Sequence, residues 1–421
     1  MDRSANEPTL ICRPALIFQF SGGLMQRNDH ERLRRGLLFM SLFAGLACAQ
    51  PARAAEPSGD LASLVSVKTM HSFEGPDGQW PRTGLILATD GKLHGVAGQG
   101  GEIDNGGTAF QMTRNGHFKV LHQFDRRRRA PVHPSGLVQG TDGMYYGGSG
   151  GGVFRDGVIY QMTPTGQITI VHAFNYDLPE GGYPWAPLLQ ASDGCFYGTT
   201  GSGKGIGEGS IFKVSASGDF AVLYEFSYRK DNLYAPGMDR MVQASNGYIY
   251  GTAGGGAYDD GGVYRLSPAG SFEIIHAFKC DDEIGCGSSS FVEAPDGFLY
   301  GVTGGGGAHG GGAFYRMDFD GNVTLVHAFA KPETYTGRSG LVLADGYFYG
   351  VTAAQGKYDL GSIYRITADG DFTQLYSFGP DSLNGRAPVG GLVAAGNGEF
   401  YGVTTTGGTA DLGTIYRLKL K

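Results

Sequence analysis

The chain has 421 residues, 74 of them Gly and 18 Pro, with a formal net charge of −7. Gly is more than twice its usual share of about 7 %, while charged residues reach only 17 % and aromatics 12 %. The aromatic surface excludes a disordered chain, and a Gly content without a three-residue period excludes collagen. A helical bundle is excluded because each interior Gly costs about 1 kcal/mol relative to Ala. The acidic balance gives no footprint for nucleic acid.

Residues 31–55 read ERLRRGLLFMSLFAGLACAQPARAA. Arg32, Arg34 and Arg35 precede a 14-residue apolar run, Gly36 to Ala49, too short for a bilayer span of about 18 or more residues. Small residues follow at Ala47-Cys48-Ala49 and Ala52-Arg53-Ala54, the pattern of a cleaved secretory signal. The expected organisation is an N-terminal extension with signal peptide over 1–54 and one folded domain over 55–421. Residues 1–24 lack signal character, which points to Met25 as the natural start. The product is expected to be exported, periplasmic or secreted, with no transmembrane span once the signal is removed.

Export allows cysteines to oxidise. Cys280 and Cys286 flank the five-residue acidic loop DDEIG and are expected to close a small disulfide ring, whereas a metal site there lacks further ligands nearby. Cys195 falls in a strand pattern and reads as a small buried hydrophobe.

From residue 65 onward the chain repeats seven times. A Tyr-Gly pair recurs at Tyr146, Tyr197, Tyr250, Tyr300, Tyr349 and Tyr401, with His94-Gly95 in the same slot of the first repeat. The seven glycines are spaced by 52, 51, 53, 50, 49 and 52 residues. Just before each stands Asp-Gly or Asn-Gly, from Asp90-Gly91 to Asn397-Gly398, which predicts seven type I′ hairpin turns. Each unit then reads as four short strands. In the sixth these are Gly340–Ala344, Tyr349–Thr352, Gly361–Ile366 and a strand ending Leu375-Tyr376-Ser377-Phe378. Four-stranded units of about 50 residues mark the blades of a β-propeller. The seventh unit stops after its third strand, and Val65 to Phe73 supplies the missing fourth, with His71 and Phe73 in the slots held elsewhere by pairs such as His122/Phe124. The fold class is therefore all-β, a seven-bladed propeller whose N-terminal strand closes the last blade, and a closed ring is expected to be monomeric because it leaves no sheet edge to cover.

The pattern G-L-V-x-A-x-D-G-x-x-Y-G-V-T, a Gly-Gly loop, then G-x-I-Y-R and x-L-x-x-F, is clearest over Gly340–Phe378 and Gly391–Leu418. It resembles the Gloeo-Verruco (GloVer) tandem repeat of bacterial exported proteins, over about residues 63–418. The resemblance implies export and says almost nothing about activity.

Residues present in every unit serve the blade, so the strand-four histidines and the Tyr-Arg arginines Arg265, Arg316, Arg365 and Arg417 read as structural. Gly305, Gly307 and Gly310 satisfy G-x-G-x-x-G with no helix to follow. Asp318, Asp320 and Gly321 resemble a calcium loop that ends on Phe329 rather than Glu, and Lys204 sits in a glycine loop lacking phosphate-loop spacing. No cofactor is expected. The run Arg126–Arg129 is either a solvated loop or an anion contact. Gln139, Gln190, Gln243 and Glu293 share one position of strand one and are expected to line the axis or bind its water.

The long loops between strands two and three and between blades should share one face, where function usually sits. Trp80, Arg82, Tyr183, Trp185, Tyr234 and Arg386 fall in the loops between blades, and Asp259 and Asp260 in a two-to-three loop. Exposed Trp and Tyr beside carboxylates and Arg suit a glycan or protein ligand held without catalysis. The alternative is a secreted polysaccharide lyase or glycoside hydrolase, which requires carboxylates from different blades to converge.

Overall fold

Alternating apolar residues separated by tight turns fold each repeat into a four-stranded antiparallel sheet, and seven sheets close a ring, a β-propeller. The computed structural model describes residues 64–421 apart from 127–128, 203–208, 228–232, 237–239, 290 and 331–339. The signal-like segment, the Lys204 loop and the middle of the Arg126–Arg129 run therefore lie outside the described residues.

Strands are lettered a to d from the axis outward. In blade 6 they span Val342–Ala344, Tyr347–Thr352, Ser362–Ile366 and Phe372–Ser377. Blades 2, 4 and 5 have strand a in two pieces, both paired to strand b. Blade 7 takes strands a to c from Arg386–Gly396, Glu399–Thr406 and Thr414–Leu420. Its strand d is Val65–Ser72, which pairs with strand c from Val65↔Leu420 to Ser72↔Thr414. The two ends of the polypeptide thus share one sheet.

The core lies between blades. A Phe at the end of each strand d meets a strand-c aromatic of the next blade edge-on at all seven junctions. Ring centroids are 5.6 Å apart for Phe124–Tyr160, 5.3 Å for Phe378–Tyr416 and 5.4 Å for the closing pair Phe73–Phe110. Such edge-to-face pairs add about 0.5–1.5 kcal/mol beyond their buried area. Two residues earlier, the His or Tyr of strand d also turns to the next blade. His71 stacks on Phe118, His172 on Phe220 and Tyr224 on Phe272, while His122 Nδ1 lies 2.9 Å from the Gly166 carbonyl oxygen.

The a–b turns correct the expected uniform hairpin. Only Asp345-Gly346 and Asn397-Gly398 have both residues at positive φ, as type I′ requires. In blades 1–5 only the Gly is left-handed, because one additional residue (Thr89, Thr141, Ser192, Ser245 or Pro295) precedes the Asp or Asn and makes a three-residue loop. That residue has a second use. The N–H groups of Thr89, Thr141, Ser192 and Ser245 donate to side-chain oxygens of Gln139, Gln190, Gln243 and Glu293 in the following blade, at 2.7–2.9 Å. The shared strand-one position is thus a blade-to-blade clasp. Pro295 has no N–H, and the next blade carries Leu343 in the acceptor slot, so donor and acceptor are lost together.

Candidate functional site

The open face is built from X-Pro corners. Trp80-Pro81, His133-Pro134, Tyr183-Pro184 and Ala387-Pro388 lead into strand a, with φ of 52°, 52°, 61° and 52° at the residue before proline. Helical dihedrals are disfavoured before Pro, and a left-handed non-glycine residue costs about 1–2 kcal/mol. The preceding blade holds the strain in place. The four N–H groups donate to Leu412, Gly106, Asp156 and Leu360 oxygens at 2.9, 2.7, 2.6 and 3.0 Å. The proline rings lie against Gly413, Gly107, Gly157 and Gly361, the glycines opening strand c, where a Cβ would collide with them.

Inside these corners an axial cavity of about 1040 Å³ is walled by strand a of all seven blades, including Leu85, Leu137, Leu189, Val242, Val292, Leu341 and Leu392. Its open-face end carries Arg82, Gln99, His133, Arg155, Tyr183, Trp185 and Arg240. All seven come from blades 1–4, so among the described residues the mouth departs from the sevenfold repeat. Among the described residues lining the cavity the single carboxylate is Glu293, at the tight-turn end, where it accepts the Ser245 N–H. Arg82, Arg155 and Arg240 are exposed. Arg240 is nevertheless ringed by protein, and this burial pushes its guanidinium below the ordinary value, though Arg keeps its proton in any case. The His133 ring places Nδ1 2.7 Å from the Gly98 oxygen.

The structure brings together three of the residues expected from sequence, Arg82, Tyr183 and Trp185. The Tyr183 and Trp185 rings are tilted with centroids 5.6 Å apart, and Trp185 is 46 % exposed. Trp80 is half-exposed on the same face without lining the cavity. Tyr234 Oη donates to Asp259 at 3.1 Å, Asp260 accepts the Cys280 N–H at 2.8 Å, and Arg386 is ion-paired with Asp411. Cys280 and Cys286 are joined as a disulfide with Cα atoms 4.7 Å apart, so neither offers Asp260 a thiolate with which to hold a metal. Sequence reasoning did not single out His133, in the strand Pro131–Pro134, or Arg155 and Arg240, which fall where the repeated pattern gives no signal. The loop aspartates have local work. Asp104, Asp259, Asp359 and Asp411 are left-handed, and the last two accept N–H groups of their own loops, a conformation Asp tolerates well.

Among solved structures, virginiamycin B lyase from Staphylococcus aureus is similar with a TM-score of 0.58 at 14 % identity, over 85 % of this chain and 99 % of that one. Polysaccharide lyase Uly1 gives 0.50 at 11 %, over 83 % and 91 %. PorZ, a surface component of the type-IX secretion system of Porphyromonas gingivalis, gives 0.51 at 14 %, over 83 % and 47 %. At these identities the likeness concerns the fold. No curated protein matches the sequence. The model of the Gloeobacter/Verrucomicrobia repeat matches residues 60–177, 105–285 and 237–421, and the chain belongs to that repeat family.

Proposed function

We propose that the protein is an exported, non-catalytic binding module that takes a saccharide at the channel mouth. The observation that carries this is an asymmetry among the described residues of the ring: aromatic and hydrogen-bonding side chains crowd one arc of blades 1–4 around an apolar cavity. Such a pocket, mostly apolar with a few convergent polar groups, is the usual form of a small-ligand site. The neighbouring Tyr183 and Trp185 rings offer flat faces to a sugar ring. A glycoside hydrolase places two carboxylates about 5–10 Å apart across its substrate. Among the described lining residues the one carboxylate is Glu293, already engaged by Ser245, which supports binding over that chemistry.

A glycan array probed with the purified protein is expected to give saccharide hits that survive incubation without cleavage. Trp185→Ala is expected to weaken them at least about tenfold, a loss of about 1.4 kcal/mol. An array with no hits, hits indifferent to Trp185, or shortened products would overturn the proposal.

A further inference from the structure

We infer that the ligand of this mouth is an acidic saccharide whose carboxylate or sulfate groups are held by Arg82, Arg155 and Arg240. The inference rests on the saccharide reading above and adds the ligand's charge.

The three arginines come from blades 1, 2 and 4 and line one cavity. None makes an ion pair or hydrogen bond within the described residues, and all three are exposed. The arginines of the repeated strands and Arg386 have partners. Arg265 bonds Glu273 and crosses to the Phe319 carbonyl of the next blade. Arg386 pairs with Asp411 and Arg417 with Glu399. Arg316 and Arg365 lie over the Phe298 and Tyr347 rings, 4.7 and 4.3 Å from the centroids. The arginines of the mouth lack such partners and gather round one cavity, in a chain of net charge −7.

Three like charges around one opening repel one another, and low-dielectric walls focus their field into the cavity. Asp156, next to Arg155 in the chain, turns its carboxylate to the Tyr176 N–H at 2.9 Å and makes no ion pair with it among the described residues. Glu293 sits at the far end of the strands. An anion supplied from outside completes the arrangement, and the planar guanidinium fork matches a carboxylate or sulfate with two parallel bonds.

A rigid ring fits better than a flexible acidic chain. His133 and Tyr183 are fixed at the rim by strained X-Pro corners, and such strain gathers at ligand sites. Trp185 beside Tyr183 adds a second flat face. A uronate oligomer presents both features together, a ring face and a carboxylate on each residue. An inorganic anion fills little of a cavity of about 1040 Å³.

The test is titration of the purified full chain with trigalacturonate, its methyl ester, a chondroitin sulfate disaccharide, hexaglutamate and inorganic phosphate. Either trigalacturonate or the sulfated disaccharide is expected to bind at least about tenfold more tightly than the neutral ester. The preference should fade as salt rises from about 20 to about 300 mM. The triple variant Arg82→Gln, Arg155→Gln, Arg240→Gln should lose it while melting as the parent does. Equal affinity for acid and ester, a preference kept by the triple variant, or hexaglutamate or phosphate bound as tightly as the sugars would overturn the inference. Ester binding that equals acid binding but depends on Trp185 removes this inference and leaves the saccharide reading standing. Failure of every sugar removes both.

Discussion

The glycine of each Tyr-Gly pair is fixed by the ring facing it. None of these seven glycines has positive φ, yet a Cβ on any of them would collide with a strand-c aromatic of its own blade. At Gly147 it would lie 2.6 Å from Tyr160 Oη, and at Gly95 it would lie 2.7 Å from Phe110 Cζ. The glycines of the a–b turns have the opposite cause: Gly346 has φ of 78° and no atom within 4 Å of an added Cβ. The two causes separate in a double-mutant cycle. Gly350→Ala, which drives a methyl into Tyr364, should cost about 1–3 kcal/mol as overpacking, and the cost should shrink below about 1 kcal/mol when Tyr364→Leu opens the space. Gly346→Ala should cost about 1–2 kcal/mol through backbone strain in either background. Urea unfolding of the variants measures both. Equal costs for Gly350→Ala in the two backgrounds would show that the ring is not the constraint.

Strand d joins neighbouring blades, and its histidines make the joint pH-sensitive. Burial lowers the pKa of His122, His172 and His276 below 6.5. The Glu180 carboxylate beside His172, the Gly166 and Gly321 carbonyls at the other two and the Asp282 charge near His276 oppose the shift without cancelling it. The folded state therefore holds these rings neutral, while the unfolded chain takes up protons near pH 6.5. Their contribution is intact above about pH 7 and is lost as pH falls through 6.5 toward the lower folded values. Asp77, Asp90 and Asp193, lowered from 3.8 by hydrogen bonds and nearby positive charge that outweigh burial, hold their stabilisation above that value and lose it only in stronger acid. Melting temperature should thus fall between about pH 7.5 and 5. The double variant His122→Tyr, His276→Tyr, which installs the residue that blades 3 and 6 carry in this slot, should flatten the slope. A slope unchanged by the double variant would place the titration elsewhere.

The ring as a whole was legible in the sequence because the strand-b Gly, the Asp-Gly or Asn-Gly turn and the strand-d Phe each occur seven times, so that blade number, strand order and closure could be read from spacing alone. The clasp was not legible, because the inserted Thr or Ser and the distant Gln declare their partnership only when two blades touch. The cationic mouth was half legible for a similar reason: Arg82 stood out beside Trp80, whereas Arg155 and Arg240 fall where the repeat gives no signal, and only the closed ring sets the three around one opening. Closure is therefore the property on which site and stability both depend. Phe73 is fully buried, its N–H donates to the Gly413 oxygen at 3.0 Å, and its ring meets Phe110 across the junction. Phe378 fills the corresponding place at an internal junction, also fully buried. If the N-terminal strand seals the ring as the other outer strands join their blades, Phe73→Ala and Phe378→Ala should each cost about 3–5 kcal/mol. Deleting Val65 to Phe73 should do more, since it bares the whole edge of Thr414–Leu420 and invites pairing between molecules. The deleted chain should be insoluble or melt far below the parent. Were Phe73→Ala nearly silent while Phe378→Ala cost the full amount, or the deleted chain to melt as the parent does, the seal would lie elsewhere, and a mouth assembled from blades 1 to 4 would have to keep its shape without it.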